Sequence, residues 1–161
     1  MTTRLAYHYL LAHGSIPLHL WWAISIWKWH VPVKLKCFYW LIVHNKILTW
    51  DNLCRCRWQG SRLCPHCLAH TKSTEHLLIQ CSFARNLWHS LCVSLHIDGS
   101  RNYSSIKDCM IYWATQQRLH KTLPIFICWG LWKSRNSWIF EGIKPNIFHT
   151  GLMIISYYKE Y

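Results

Sequence analysis

Apolar positions along this chain recur at three- and four-residue steps, the spacing of one helical face, and no alternating strand pattern stands out. A short helix is predicted over residues 2–11, ended by Gly14, with residues 16–22 as an approach segment and 24–29 opening the packed body. Pro32 suits the first position of a helix running to about His44. That helix is apolar almost all round, through Leu35, Cys37, Phe38, Tyr39, Trp40, Leu41, Ile42 and Val43, which predicts a central, buried place. Thr49 is placed to cap a further short helix carrying Trp50, Asp51 and Leu53.

Further along, Ser73 is a cap for a short helix with Glu75 in its first turn, where a negative charge suits the helix dipole. Ser82 reads as a second cap, and Phe83, Leu87, Trp88, Leu91 and Leu95 then fall on one face. A polar connection at 98–102 leads to a helix from about Ser105 to His120. The last strong element starts near Pro124 and ends at Phe140, with Gly142 placed to stop it. Trp129, Trp132, Asn136 and Phe140 stack along it at helical steps. The expectation is a mainly α fold: one domain over residues 1–161, its packed body at about 24–142 and a C-terminal tail at 143–161.

Between those helices lies the densest chemistry, at residues 64–81. Cys64 and Cys67 are two residues apart, so both thiolates can close on one metal from a tight turn that Pro65 suits. His76 and Cys81 complete a set of three sulfurs and one imidazole, the composition of a closed, structural zinc site. Five residues separate His76 from Cys81, about 140° around a regular helix, so Cys81 is expected just past the helix end. A catalytic zinc would keep an open position, and no His-Glu-x-x-His arrangement is present. The small helical domain is therefore expected to be stapled by one structural Zn2+. His66 and His70 read as exposed residues or residues flanking the ligands. Cys54 and Cys56 invite a second metal or a disulfide, but no further pair of ligands stands nearby.

Charge changes the picture most. Lys and Arg number 18 against 6 Asp and Glu, a formal net charge of +12, which draws polyanions, nucleic acid before anionic membrane. Nine cysteines are an odd number, and four already fit metal. With no signal pattern after Met1, the expected setting is intracellular and reducing, with a nuclear place left open. The uncharged run at residues 5–27 is interrupted by His8, His13, Gly14, Pro17 and His19, which speaks against a membrane span.

Several stretches together resemble the zinc-binding domain that follows the polymerase in plant LINE-type (non-LTR) retrotransposon reverse transcriptases. They are Arg4-Leu5-Ala6-Tyr7, residues 26–34 and residues 38–53. The Cys64, Cys67, His76, Cys81 set comes next, with Phe83-Ala84 and Trp88, and then residues 129–136 and 139–142. Leu41, Leu48, Cys56 and Arg57 depart from the residues common at those places. The resemblance implies a detached piece of a larger element protein, because the chain begins inside the family's first motif. It also implies RNA or DNA as partner, together with a reverse transcriptase polypeptide.

Polymerase chemistry needs clustered carboxylates, and Asp51, Asp98 and Asp108 are isolated; no enzymatic activity is expected of these residues. The leading expectation is nucleic-acid binding. Lys28, Lys34, Lys36, Lys46, Arg55, Arg57 and Arg62 stand against Asp51 alone before the metal loop. Trp50, Trp58 or His66 could stack on unpaired bases, Trp58 above all. The rival is a protein-interaction platform without direct nucleic-acid binding.

Overall fold

The computed structural model describes residues 26–57, 59, 63–69, 73–97, 102–116 and 120–161. Its packing divides the chain into two units, Met1–His30 and Val31–Tyr161. Of the first, only residues 26–30 are described: one helical turn with Ile26 buried. The helix expected at 2–11 and the approach segment at 16–22 lie outside the described residues.

The second unit is built from helices, with no strand among the described residues. They are α1 (Val33–Val43), α2 (Trp50–Arg55), a π-helical turn (His76–Gln80), α3 (Ser82–Ser94), α4 (Ile106–Ala114), α5 (Leu123–Glu141) and α6 (Ile147–Lys159). The mainly α expectation holds.

The central element is α5. Its first turns are buried continuously from Leu123 through Cys128, then at Gly130, Leu131 and Arg135. It packs against α1, α6 and the π turn at once, while α6 also lies on α3 and α1 on α4. Gly130 permits the closest approach. A Cβ there would stand 2.4 Å from the Ile154 side chain of α6, nearer than real carbon atoms come. The helix stops where expected: Gly142 adopts φ 71°, and the Ile143 N–H reaches back to the Ser137 carbonyl at 3.2 Å.

Four expectations change. Although α1 is apolar almost all round, only Leu35, Phe38, Tyr39 and Ile42 are buried, while Val33, Cys37, Trp40 and Leu41 are exposed. Its described partners, α5 and α4, leave that other side uncovered. Residues 143–161 are no tail: Asn146 accepts the His149 N–H at 2.9 Å, and the helix it caps buries Thr150, Gly151 and Ile154. The helix from Ser105 ends at Ala114 rather than at about His120: the Thr115 and Gln116 N–H groups tighten onto the Tyr112 and Trp113 carbonyls three residues back, at 3.1 and 3.2 Å. The aromatic stripe of α5 is also shorter than expected. Trp129 meets Phe38 of α1 edge-on at 4.9 Å and Trp132 at 5.9 Å, but Phe140 is 78% exposed.

Candidate metal centre

Local backbone preferences bring the ligands together. After Cys64 the buried Pro65 starts a turn that the Leu68 N–H closes onto the Cys64 carbonyl at 2.8 Å. Leu68 itself takes φ 57°, the left-handed bend that carries the chain away from Cys67. Ser73 caps the ligand helix as expected, accepting the His76 N–H at 3.0 Å. The next turn is wider. The Cys81 N–H bonds the His76 carbonyl five residues back at 2.7 Å, so the turn between the two ligands is π-helical. An i to i+5 bond stacks His76 and Cys81 on one side, where a regular helix would part them by about 140°. Trp88 of α3 donates its indole N–H to the Leu78 carbonyl at 2.9 Å and locks this turn from behind.

Ligand atoms of Cys64, Cys67, His76 and Cys81 all lie within 4.8 Å of one another. The Cys64 and Cys81 sulfurs are 3.9 Å apart, and Cys67 Sγ is 3.3 Å from His76 Nε2. Zinc–sulfur bonds of about 2.3 Å in a tetrahedron put sulfurs about 3.8 Å apart, and a sulfur and a nitrogen about 3.6 Å apart. The four residues fit a zinc ion. Cys64, Cys81 and His76 are buried and Cys67 half-buried, which leaves little room for a substrate and matches a closed structural site.

Electrostatics prepare the thiolates. The Cys81 thiol, hydrogen-bonded across the 3.9 Å gap, draws the Cys64 pKa down to about 4, helped by the backbone N–H groups of Cys67 and His66. The same hydrogen bond pushes Cys81 up, and burial adds to it, while the amides of Ala84 and Phe83 act to lower it. A bound cation would displace the thiol protons that remain. His66 does not offer its ring to bases. It stacks on Phe83 with centroids 4.5 Å apart, and burial holds it neutral with a pKa of about 4.

A buried polar network that the residue pattern did not reveal seats the ligand turn. Thr49 and Thr74, 0% and 2% exposed, meet hydroxyl to hydroxyl at 3.1 Å. Thr74 donates to Asn45 Oδ1 at 2.6 Å, and Asn52 donates to the Asn45 and Ile47 carbonyls, each at 2.8 Å. Asn45 ends α1 with φ 51°, a conformation its side chain tolerates. Thr49 precedes α2 as expected but makes no capping bond; its hydroxyl bonds Asp51 and Thr74 instead. The only signal of this network in the sequence is that Asn45, Thr49 and Asn52 fall in a stretch that carries the resemblance.

The basic residues are distributed more widely. Lys34, Lys46, Arg55 and Arg57 are exposed and Lys36 is half-buried. Lys34 lies with its Nζ 6.0 Å from the Tyr157 ring of α6, while Arg55 and Arg57 mark the end of α2. Arg62, Trp58 and His70 lie outside the described residues. Cys54 and Cys56 are exposed, free and part of no metal-ligand group among the described residues. No described helix is long and apolar enough to cross a membrane.

Residues 2–88, more than half of the chain, match the family described as zinc-binding in reverse transcriptase, and the chain belongs to that family. All four ligands fall inside the matched stretch, and family and geometry together point to one zinc ion. No curated protein and no solved structure matches the chain.

Proposed function

We propose that this reverse-transcriptase zinc-binding domain is a zinc-stabilised module that binds RNA or DNA beside a polymerase of the plant LINE retrotransposon type. It carries no polymerase chemistry of its own. The observation that carries the reading is the hydrogen-bonded network from Thr74, two residues before a zinc ligand, to Thr49, Asn45 and Asn52. Through it the metal turn holds in place the segment bearing Lys46, Arg55 and Arg57. An overall charge of +12 adds the long-range attraction for a polyanion.

Phosphate contacts give sequence-independent affinity that weakens with salt. The test is a salt titration of the zinc-loaded chain with single-stranded RNA and with duplex DNA. Arg55→Ala with Arg57→Ala is expected to weaken all sequences alike and to reduce the salt slope by about one unit for each phosphate no longer engaged. Trp58→Ala is expected to weaken single strands more than duplex, as removal of a stacking partner would. Absence of salt-dependent affinity at low ionic strength refutes the reading.

A protein-docking platform is the second reading, and the exposed apolar residues Ile139, Phe140, Ile143, Phe148 and Leu152 of α5, α6 and the link between them favour it. It expects affinity for protein that survives high salt, and no response to the arginine pair.

A further inference from the structure

Arg135 is a buried cation with no carboxylate partner among the described residues. It sits on α5, the helix packed against the π turn, 47 residues beyond the end of the family match at residue 88. Its side chain is 6% exposed. Nη2 donates to the Leu48 carbonyl at 3.1 Å and Nη1 to Asn136 Oδ1 at 2.7 Å, and the guanidinium lies 4.5 Å from the centre of the Trp132 ring. Its buried Nε has no hydrogen-bond partner among the described residues. Every one of these neighbours is neutral, and among the described residues no carboxylate pairs with it. An arginine keeps its charge in a protein, and a buried charge without a compensating one is strongly unfavourable.

The metal centre has the opposite imbalance. Three thiolates and a neutral imidazole around a dication leave one net negative charge, enclosed by the buried Cys64, Cys81 and His76. Geometry joins the two: α5 packs against the π turn that carries His76, and Leu48, which accepts from Arg135, adjoins Thr49 of the network that seats the ligand turn. Burial acts against the charged form of Arg135, and the Cys64 thiolate acts in its favour.

We propose that Arg135 is the counter-charge of the zinc centre: a positioning residue that stabilises the anionic complex without touching the ion. α5 is then part of the metal centre, and the Leu48 carbonyl holds the guanidinium in register with the Asn45–Thr49–Thr74 network. The proposal rests on zinc binding and is independent of any affinity for nucleic acid.

Its test is zinc affinity of the full chain, measured by chelator competition, with the cobalt(II) spectrum as a check on the ligand set. Arg135→Gln keeps a donor for Leu48 but removes the charge; Arg135→Lys keeps both. The glutamine variant is expected to bind zinc about 10- to 100-fold more weakly with an unchanged cobalt spectrum, the range typical of residues supporting a metal's ligands. The lysine variant is expected to stay close to wild type. In a Cys67→His background, whose centre is neutral, the glutamine substitution should weaken binding much less. Equal losses of affinity in Gln and Lys variants, or the same loss in both backgrounds, would show that Arg135 only anchors Leu48 and would overturn the proposal. Should Arg135→Gln fail to fold, the lysine variant decides alone: near-wild-type affinity supports the counter-charge and a marked loss refutes it.

Discussion

Six of the nine cysteines fall in two neighbourhoods, the metal loop and the helical core, which treat the equally buried Cys64 and Cys92 in opposite ways. In the first, the Cys81 thiol and the backbone N–H groups of Cys67 and His66 draw Cys64 down to about 4. The same hydrogen bond pushes Cys81 up, and Cys67 lies beside His76 Nε2. Cys92 on α3, Cys109 on α4 and Cys128 on α5 share the helical core. There burial pushes Cys92 up to about 11 and Cys128 to about 12, and raises Cys109 as well, with Cys128 and Cys92 adding to it. Depth alone does not separate the two groups, since Cys64 and Cys92 are each 0% exposed. Donors do. The metal loop and the first turn of α3 leave amides free to solvate a thiolate, whereas the interior of a helix has already committed its amides to its own carbonyls.

The largest expected effect comes from breaking the first neighbourhood. A structural zinc is worth on the order of 10 kcal/mol in a small site, against a whole-domain stability of about 5–15 kcal/mol. Cys67→Ser or His76→Ala is expected to abolish zinc binding and unfold at least the segment from residue 63 to Trp88. Zinc content per chain and amide hydrogen exchange over that segment check it. Full zinc content in the double variant would remove both residues from the ligand set.

The same physics decides how much of the fold and the site is legible in the sequence. The ligand set is readable because cysteine and histidine at metal-binding spacing have few other reasons to coincide, and Ser73 and Gly142 because caps are local. The π turn is not. Cys81 does lie just past the helix end, as its five-residue spacing from His76 leads one to expect, but only the observed i to i+5 bond shows that the helix before it is a wider, π-helical turn. Helix rank fails for a different reason. α1 is apolar nearly all round and α5 over its first turns, and which is central depends on how many neighbours each meets. α6 escapes notice because the positions it buries include Thr150 and Gly151, small residues that leave no strong apolar stripe. Arg135 carries no signal of burial, since arginine is normally exposed.

Breaking the second neighbourhood should have a smaller effect that depends on chemistry rather than size. Cys128→Ser places a hydroxyl among apolar groups on the central helix, and an unpaired buried hydroxyl is expected to destabilise by about 1–3 kcal/mol. Cys128→Ala, which leaves only a small void, should destabilise less. Denaturant unfolding of the two variants gives the order, and a serine variant as stable as the alanine variant would mean that polar partners exist there after all. Zinc content is expected to stay at wild type in both.

pH sharpens the contrast from the alkaline side. A thiol titrating near 9.0 in the unfolded chain is raised to about 11 at Cys92 and about 12 at Cys128 in the folded one. The unfolded state therefore loses its proton first. The stability tied to these thiols is complete below about pH 9 and lost as pH rises toward 11 and 12. Unfolding midpoints measured between those limits should fall less steeply in Cys92→Ala and Cys128→Ala than in wild type. An identical pH slope in variant and wild type would mean that burial does not set these thiols.

The smallest effect belongs to Cys54 and Cys56, which fit neither neighbourhood. They are exposed at the end of α2, free of disulfide, and grouped with no other ligand among the described residues. Replacing either by serine removes no packed surface and is expected to change stability by less than about 0.5 kcal/mol, as surface substitutions do. Zinc should remain at one per chain. In the folded, zinc-loaded protein a thiol reagent should modify both within the time that leaves Cys92, Cys109 and Cys128 untouched, because access and thiolate character govern the rate. Mass spectrometry of the time course reads this directly. A second equivalent of zinc, lost on Cys54→Ser, would instead make the Cys54–Cys56 pair a third kind of cysteine site with ligands of its own.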